Sequence, residues 1–176
     1  MTRRKAPRHP LAPRPPVAVE DGDEREWVDR VYEDADFSNR VLRGAELNRC
    51  SFSRCRMTGF QVPEGALTDV RFTDCRVDLA ALRFARLERV AFAGCVLREL
   101  DLSEARLQDV LFDACDLRLA ELGGARALRL ELRGCEVEGL GGVDGLRGAL
   151  MSWPDAVGLL GSLAAAAGLV VLDEGE

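Results

Sequence analysis

Cys55, Cys75, Cys95, Cys115 and Cys135 recur every twenty residues. Thiols at a fixed spacing could bind a metal, bridge in pairs or act as nucleophiles. Stacked at the ~4.8 Å spacing of paired strands, their Cα atoms would fall inside the ~4.4–6.8 Å disulfide range. Parallel Cβ vectors nevertheless hold the sulfurs side by side, whereas a bridge needs Cβ atoms near ~3.8 Å. Zinc needs four ligands converging on a tetrahedron, which a single file cannot supply. A nucleophile needs a base, and the only histidine, His9, lies in a proline-rich terminal arm. Gly139-x-Gly141 has the look of a phosphate-loop fragment, but no βαβ strand precedes it, so it reads as a chain exit. Cysteines at small core positions of a reducing compartment are inert packing. No catalytic residue, metal site, cofactor or small-molecule substrate is expected.

The elements that would stack these thiols are written in the same beat. Phe52, Phe72, Phe92 and Phe112 keep the period of twenty, and Tyr32 stands one period earlier. Stepping by five from Phe37 to Val137 meets only apolar residues, among them Leu42, Leu47, Met57, Val62, Leu87 and Leu107. Two residues before each centre the side chain is usually small, with Arg40 and Phe60 as exceptions. Neither a 3.6 nor a 2 periodicity describes this pattern. A strict five needs a backbone that turns a corner every five residues, and four corners return the chain above its start. Hydrogen bonds then run from coil to coil, as in other solenoids.

Segments such as Ala45-Glu46-Leu47-Asn48-Arg49 and Leu100-Asp101-Leu102-Ser103-Glu104 carry this beat, and residues 35–139 resemble the pentapeptide-repeat family. Arg often replaces the family's Asp or Asn before the centre, as at Arg56, Arg76 and Arg106. The resemblance implies an all-β solenoid, a right-handed quadrilateral β-helix, with a short C-terminal α-helical cap.

Outside the coil the composition changes. Residues 1–20 read as a disordered arm, with five basic residues and no acid over 1–17. Residues 21–34 read as an N-terminal cap built on Trp27, Val28, Val31 and Tyr32. Residues 140–176 read as a helix and dimerisation tail, with Ser152 as N-cap, Pro154 in the first turn and Gly168 as the stop. Trp153, Val157, Leu160, Leu163, Ala164, Leu169 and Val171 would supply its apolar contacts. The tail is either a plain cap or a cap that also joins a second copy. Its leucine-arginine-glycine turn, Trp-containing helix start and Gly-Leu-Val-Val end resemble the loop-free MfpA and Qnr type of quinolone-resistance proteins. That resemblance implies a homodimer that binds DNA gyrase as a mimic of duplex DNA.

Net charge is −6, unevenly spread: the arm is basic, residues 18–36 are strongly acidic, and the coil over 37–139 is balanced. Duplex DNA carries one charge per ~1.7 Å, so a neutral coil cannot copy it everywhere. Glu99, Asp101, Glu104, Asp116, Glu121, Glu136 and Glu138 gather on two adjoining faces near the C-terminal end, as a partner-binding patch or an ordinary solvated surface. The face centred on Leu87 and Leu107 is arginine-rich instead, with Arg49, Arg86, Arg89, Arg106, Arg126 and Arg129. Leu79, Phe84 and Leu119 should point outward, marking either a protein contact or a local irregularity near Pro63. The expected function is a non-enzymatic binding protein, a gyrase-binding DNA mimic that modulates or protects the enzyme against fluoroquinolones. The alternative is a repeat scaffold for another protein partner. Direct nucleic-acid binding, through the basic arm, is the third and least expected class. No run is long enough to span a membrane, and the chain reads as cytoplasmic.

Overall fold

A computed structural model describes residues 8–15 and 27–170. The chain winds as a four-faced parallel β-solenoid of about six turns, followed by a short helical segment. The strands are β1 (Val31–Glu33), β2 (Glu46–Asn48), β3 (Ser51–Ser53), β4 (Ala66–Thr73), β5 (Arg86–Ala93), β6 (Arg106–Asp113), β7 (Arg126–Arg133) and β8 (Leu150–Met151). Each pairs in parallel with the strand twenty residues on, as in Phe52↔Phe72 and Phe72↔Phe92. At the exit the offset changes, and Leu132 pairs with Met151. Single bridges keep the twenty-residue register on the two faces without long strands, as in Asp116↔Glu136 on one and Asp101↔Glu121 on the other.

The corners are where the backbone departs from ordinary geometry. Every fifth residue from Asp29 to Gly139 has a left-handed φ, between 51° and 69°. Each corner lies two residues past a core centre, and the turn swings its N–H onto the axis of the coil. Leu79 N–H donates to the Arg98 carbonyl at 2.9 Å, and Arg49 N–H to Thr68 at 2.9 Å. A left-handed L-residue costs on the order of 1–2 kcal/mol, so the stacking bonds and the core must offset that cost at every non-glycine corner.

The core is one cluster of stacked columns, of which the aromatic one is the most regular. Phe52, Phe72, Phe92 and Phe112 stack face to face with centroids 4.7–5.0 Å apart. Tyr32 extends the column below Phe52, at 5.2 Å. Trp27 is buried and closes the lower end against Tyr32 and Phe37. Val28 and Val31, read from sequence as cap residues, are exposed. The five-residue beat already runs through Trp27 and Tyr32, which leaves these valines one step off the centres and facing outward.

At the upper end, Gly142 takes φ 63° where a Cβ would collide with the main chain of Gly123. The tail forms two short helices, α1 (Trp153–Gly158) and α2 (Leu160–Ala166), broken at Leu159, where one continuous helix was expected. Leu159 is buried at the break, anchoring the segment to the core. Ser152 is the N-cap, in a reciprocal capping box with Asp155. The Asp155 carboxylate also accepts from the Gly134 N–H at 3.0 Å, which ties α1 to the last coil.

Because Phe92 sits between two stacked rings, Phe92→Ala should lower unfolding stability by about 3–5 kcal/mol. Urea denaturation of the two chains measures the difference.

Candidate functional site

All six cysteines are free and buried. Each donates to a main-chain carbonyl: Cys75 Sγ to Phe52 and Thr73 at 3.4 and 3.3 Å, and Cys135 Sγ to Phe112 at 3.4 Å. Burial pushes the Cys50 and Cys55 thiols up, away from the reactive thiolate. Among the described residues no group of His, Cys, Asp or Glu is placed to hold a metal ion. No helix among them is long and apolar enough to cross a membrane.

The surface carries the recognisable features. Glu99, Asp101, Glu104 and Glu121 lie together on the second face, centred on Leu82, Leu102 and Leu122, and on its corners. Asp116, Glu136 and Glu138 lie on the adjoining first face, centred on Leu97, Leu117 and Val137. The two groups are not equivalent. Asp116 is pinned by Arg118 at 2.8 Å and Arg98 at 2.5 Å, and Arg118 also reaches Glu136 at 3.2 Å. The Arg118 guanidinium, against the opposing effect of burial and with Arg98 beside it, holds the Asp116 carboxyl well below the usual range. Glu99, Glu104, Glu121 and Glu138 are exposed and form no ion pair among the described residues. Asp101 faces Arg83 at 3.5 Å.

The arginine-rich third face is also divided. Asp29, Arg49, Asp69, Arg89, Asp109 and Arg129 occupy successive positions of one corner column and pair two by two. Arg49 grips Asp29 through both nitrogens at 2.5 Å, Arg89 grips Asp69 at 2.6 and 2.9 Å, and Arg129 grips Asp109 likewise. Hydrogen bonds from Arg89 and Arg129, working against burial, hold the Asp69 and Asp109 carboxyls below the usual range. Arg86, Arg106 and Arg126 remain, stacked in register, exposed and without ion pairs among the described residues. They line a groove of about 360 Å³ with Glu64, Phe84 and Glu104. The alternation of Asp and Arg every twenty residues was available in the sequence, but counting arginines alone concealed it.

Residues 8–15, read as part of a disordered arm, lie along this ladder. Leu11 N–H donates to Asp109 Oδ1 and Arg14 N–H to Asp69 Oδ1, each at 3.0 Å. His9 Nδ1 meets Glu131 Oε2 at 2.9 Å. Burial pushes the Glu131 carboxyl up, but hydrogen bonds from Arg133 and His9 outweigh it and hold it low.

Leu79, Phe84 and Leu119 are regular corners rather than irregularities, each left-handed and 53–61 % exposed. Leu79 and Leu119 share one column with Glu99 between them, and Phe84 stands on the next column under the Arg83 guanidinium, 5.9 Å away. On the tail, Trp153 is 80 % exposed, and Val157, Leu160, Leu163 and Leu169 are exposed with it. Ala164 is half-buried, and Val171 lies outside the described residues.

A family model described as a pentapeptide repeat region matches residues 66–141, and a second, for pentapeptide repeats, matches residues 33–59. Together they span more than half of the chain. Comparison with curated protein sequences finds no match. Among solved structures, the chain is similar to full-length QnrB1, a plasmid-mediated fluoroquinolone resistance protein, at 15 % identity and a TM-score of 0.34, covering 64 % of this chain and 70 % of that one. It is also similar to the pentapeptide repeat protein Rfr23 from the cyanobacterium Cyanothece 51142, at 17 % identity and 0.26, covering 69 % and 84 %.

The Asp–Arg ladder stabilises the fold in a pH-dependent way. Asp109 has a lowered folded pKa, so its contribution is present above the unfolded value near ~3.9 and is lost as pH falls through the folded value. Asp109→Asn should cost about 2 kcal/mol at neutral pH and flatten the loss of stability below about pH 4. Urea titrations at neutral and acid pH measure both effects.

Proposed function

The chain belongs to the pentapeptide-repeat family, and from that premise we propose that it is a non-enzymatic binding protein that acts as a homodimer on DNA gyrase. The observation that carries this reading is the placement of unpaired Glu99, Glu104, Glu121 and Glu138 at the C-terminal end of the coil, beside an exposed apolar tail. Trp153, Val157, Leu160, Leu163 and Leu169 give a second copy an apolar surface to cover. Pairing two tails doubles the acidic patch along one axis. A surface of this kind suits a cleft built to grip phosphates, because the same lysines and arginines receive both. Mimicry is confined to this patch, since the coil as a whole is neutral. The tail's resemblance to the MfpA and Qnr type makes gyrase the enzyme to try, with modulation or protection against fluoroquinolones as the outcome.

Leu79, Phe84 and Leu119 support a second reading, a scaffold that docks another protein on this edge. The fold sets the left-handed corners, but it does not require apolar side chains on them, and three exposed ones on neighbouring columns suit a protein contact.

Titration into a gyrase supercoiling reaction, with and without a fluoroquinolone, separates the two. Inhibition or drug protection is expected, reduced about tenfold or more by Glu99→Lys with Glu104→Lys, and by Leu160→Glu, which should also halve the mass by light scattering. A flat response from the parent chain removes the gyrase reading and leaves the Leu79/Phe84/Leu119 edge.

A further inference from the structure

Four of the five prolines in the N-terminal arm recur every three residues, at Pro7, Pro10, Pro13 and Pro16, with Pro15 off the beat. Within the described residues 8–15, the two main-chain donors that reach the coil, Leu11 and Arg14, each follow one of these prolines. Their acceptors, Asp109 and Asp69, stand two coils apart in one column, with Arg89 between them. Two coils span ~9.6 Å at the spacing of paired strands. One turn of a polyproline helix is three residues and ~9.3 Å. The arm and the ladder therefore have matching repeats: each turn of one presents a donor where every second coil of the other presents a carboxylate.

The arginines make those carboxylates fixed acceptors. Arg89 and Arg129 hold Asp69 and Asp109 from one side through two nitrogens each, leaving Oδ1 able to accept a further N–H from the arm. The covering is visible in the burial. Ala91 faces outward in the row Arg71, Ala91, Leu111 and Glu131, yet it is 5 % exposed and Glu131 is 7 % exposed. The arm runs from Glu131 down to a groove where Pro13, Arg14 and Pro15 meet Cys50, Ser51 and Arg71, and so it passes over this row.

We propose that the Asp69/Asp109 ladder is a docking track for a proline-rich segment with a free N–H after a proline every third residue, and that residues 8–15 are its resident occupant in cis. The arm is then a displaceable strap. A partner with the same pattern competes for the track, and it meets an intramolecular rival whose effective concentration is high. His9 on Glu131 fixes the register at the upper end.

Leu11→Pro with Arg14→Pro tests this in the full chain, because proline removes both main-chain donors, and Leu11→Ala with Arg14→Ala, which keeps the donors and should bind peptide as the parent does, accounts for the lost side chains. A fluorescent peptide of residues 7–16 is titrated by anisotropy onto the parent and onto this variant. The variant should bind at least about tenfold more tightly, since its own strap has lost both main-chain bonds. A peptide with proline at both positions should bind neither chain. In the parent, amide exchange at Leu11 and Arg14 should be slowed at least about tenfold relative to the free peptide. Equal binding of the two peptides, no binding to the variant, or unslowed exchange would each overturn the proposal.

Discussion

The architecture depends on a left-handed corner at every fifth residue. A corner of ordinary handedness would carry the chain on as a strand or wind it into a helix. The left-handed one turns it through a right angle and points its N–H at the next coil. Four such corners close a turn, and the carbonyl nineteen residues on accepts the bond, as Phe84 N–H to Ser103 and Glu104 N–H to Gly123 illustrate. The cost of this conformation falls to the side chains that occupy it. Asp, Asn and Gly carry it easily, but the protein also places Arg, Glu, Leu, Phe and Ala there. Tertiary packing overrides local preference at those sites.

The stack of coils converts sequence spacing into spatial columns, and the columns have distinct physical characters. The aromatic column fills the interior beside the leucine columns, and the buried cysteine column lines it, with each thiol donating to a main-chain carbonyl. Outside, the Asp–Arg corner column is a ladder of paired charges, shielded enough for Asp109 to be 1 % exposed. An in-register file of like charges, such as Arg86, Arg106 and Arg126, is the opposite case, because repulsion adds along it. The acidic group divides on the same principle. Asp116 is neutralised by arginines of its own face, and Glu99 and Glu104 stand exposed on corners and form no ion pair among the described residues.

The core was legible in the sequence, because the centres from Phe37 to Val137 are all apolar and a strict five admits few backbones. The corners were not, since Leu79, Arg89 and Gly139 share a conformation but no chemistry. Leu79, Phe84 and Leu119 were legible as outward-facing but not as left-handed. The break at Leu159 was hidden because the apolar pattern runs through it, while in the structure that side chain docks onto the core between the two helices. The arm was the largest omission. Its composition is that of a solvated segment, and its three-residue proline period acquires meaning only against carboxylates forty residues apart in sequence and two coils apart in space.

Ala114 and Gly134 test the corner directly, because they occupy one corner column, both are exposed, and both have left-handed φ, 51° and 61°. A Cβ on Gly134 would meet nothing within 4 Å, so conformation alone decides the effect. The measurement is equilibrium unfolding of Ala114→Gly and Gly134→Ala. Left-handed corners require opposite signs, with the glycine variant more stable and the alanine variant less stable, each by about 1 kcal/mol. A loss of stability in Ala114→Gly, the ordinary result of replacing alanine by glycine where the backbone has right-handed or extended geometry, would contradict the account.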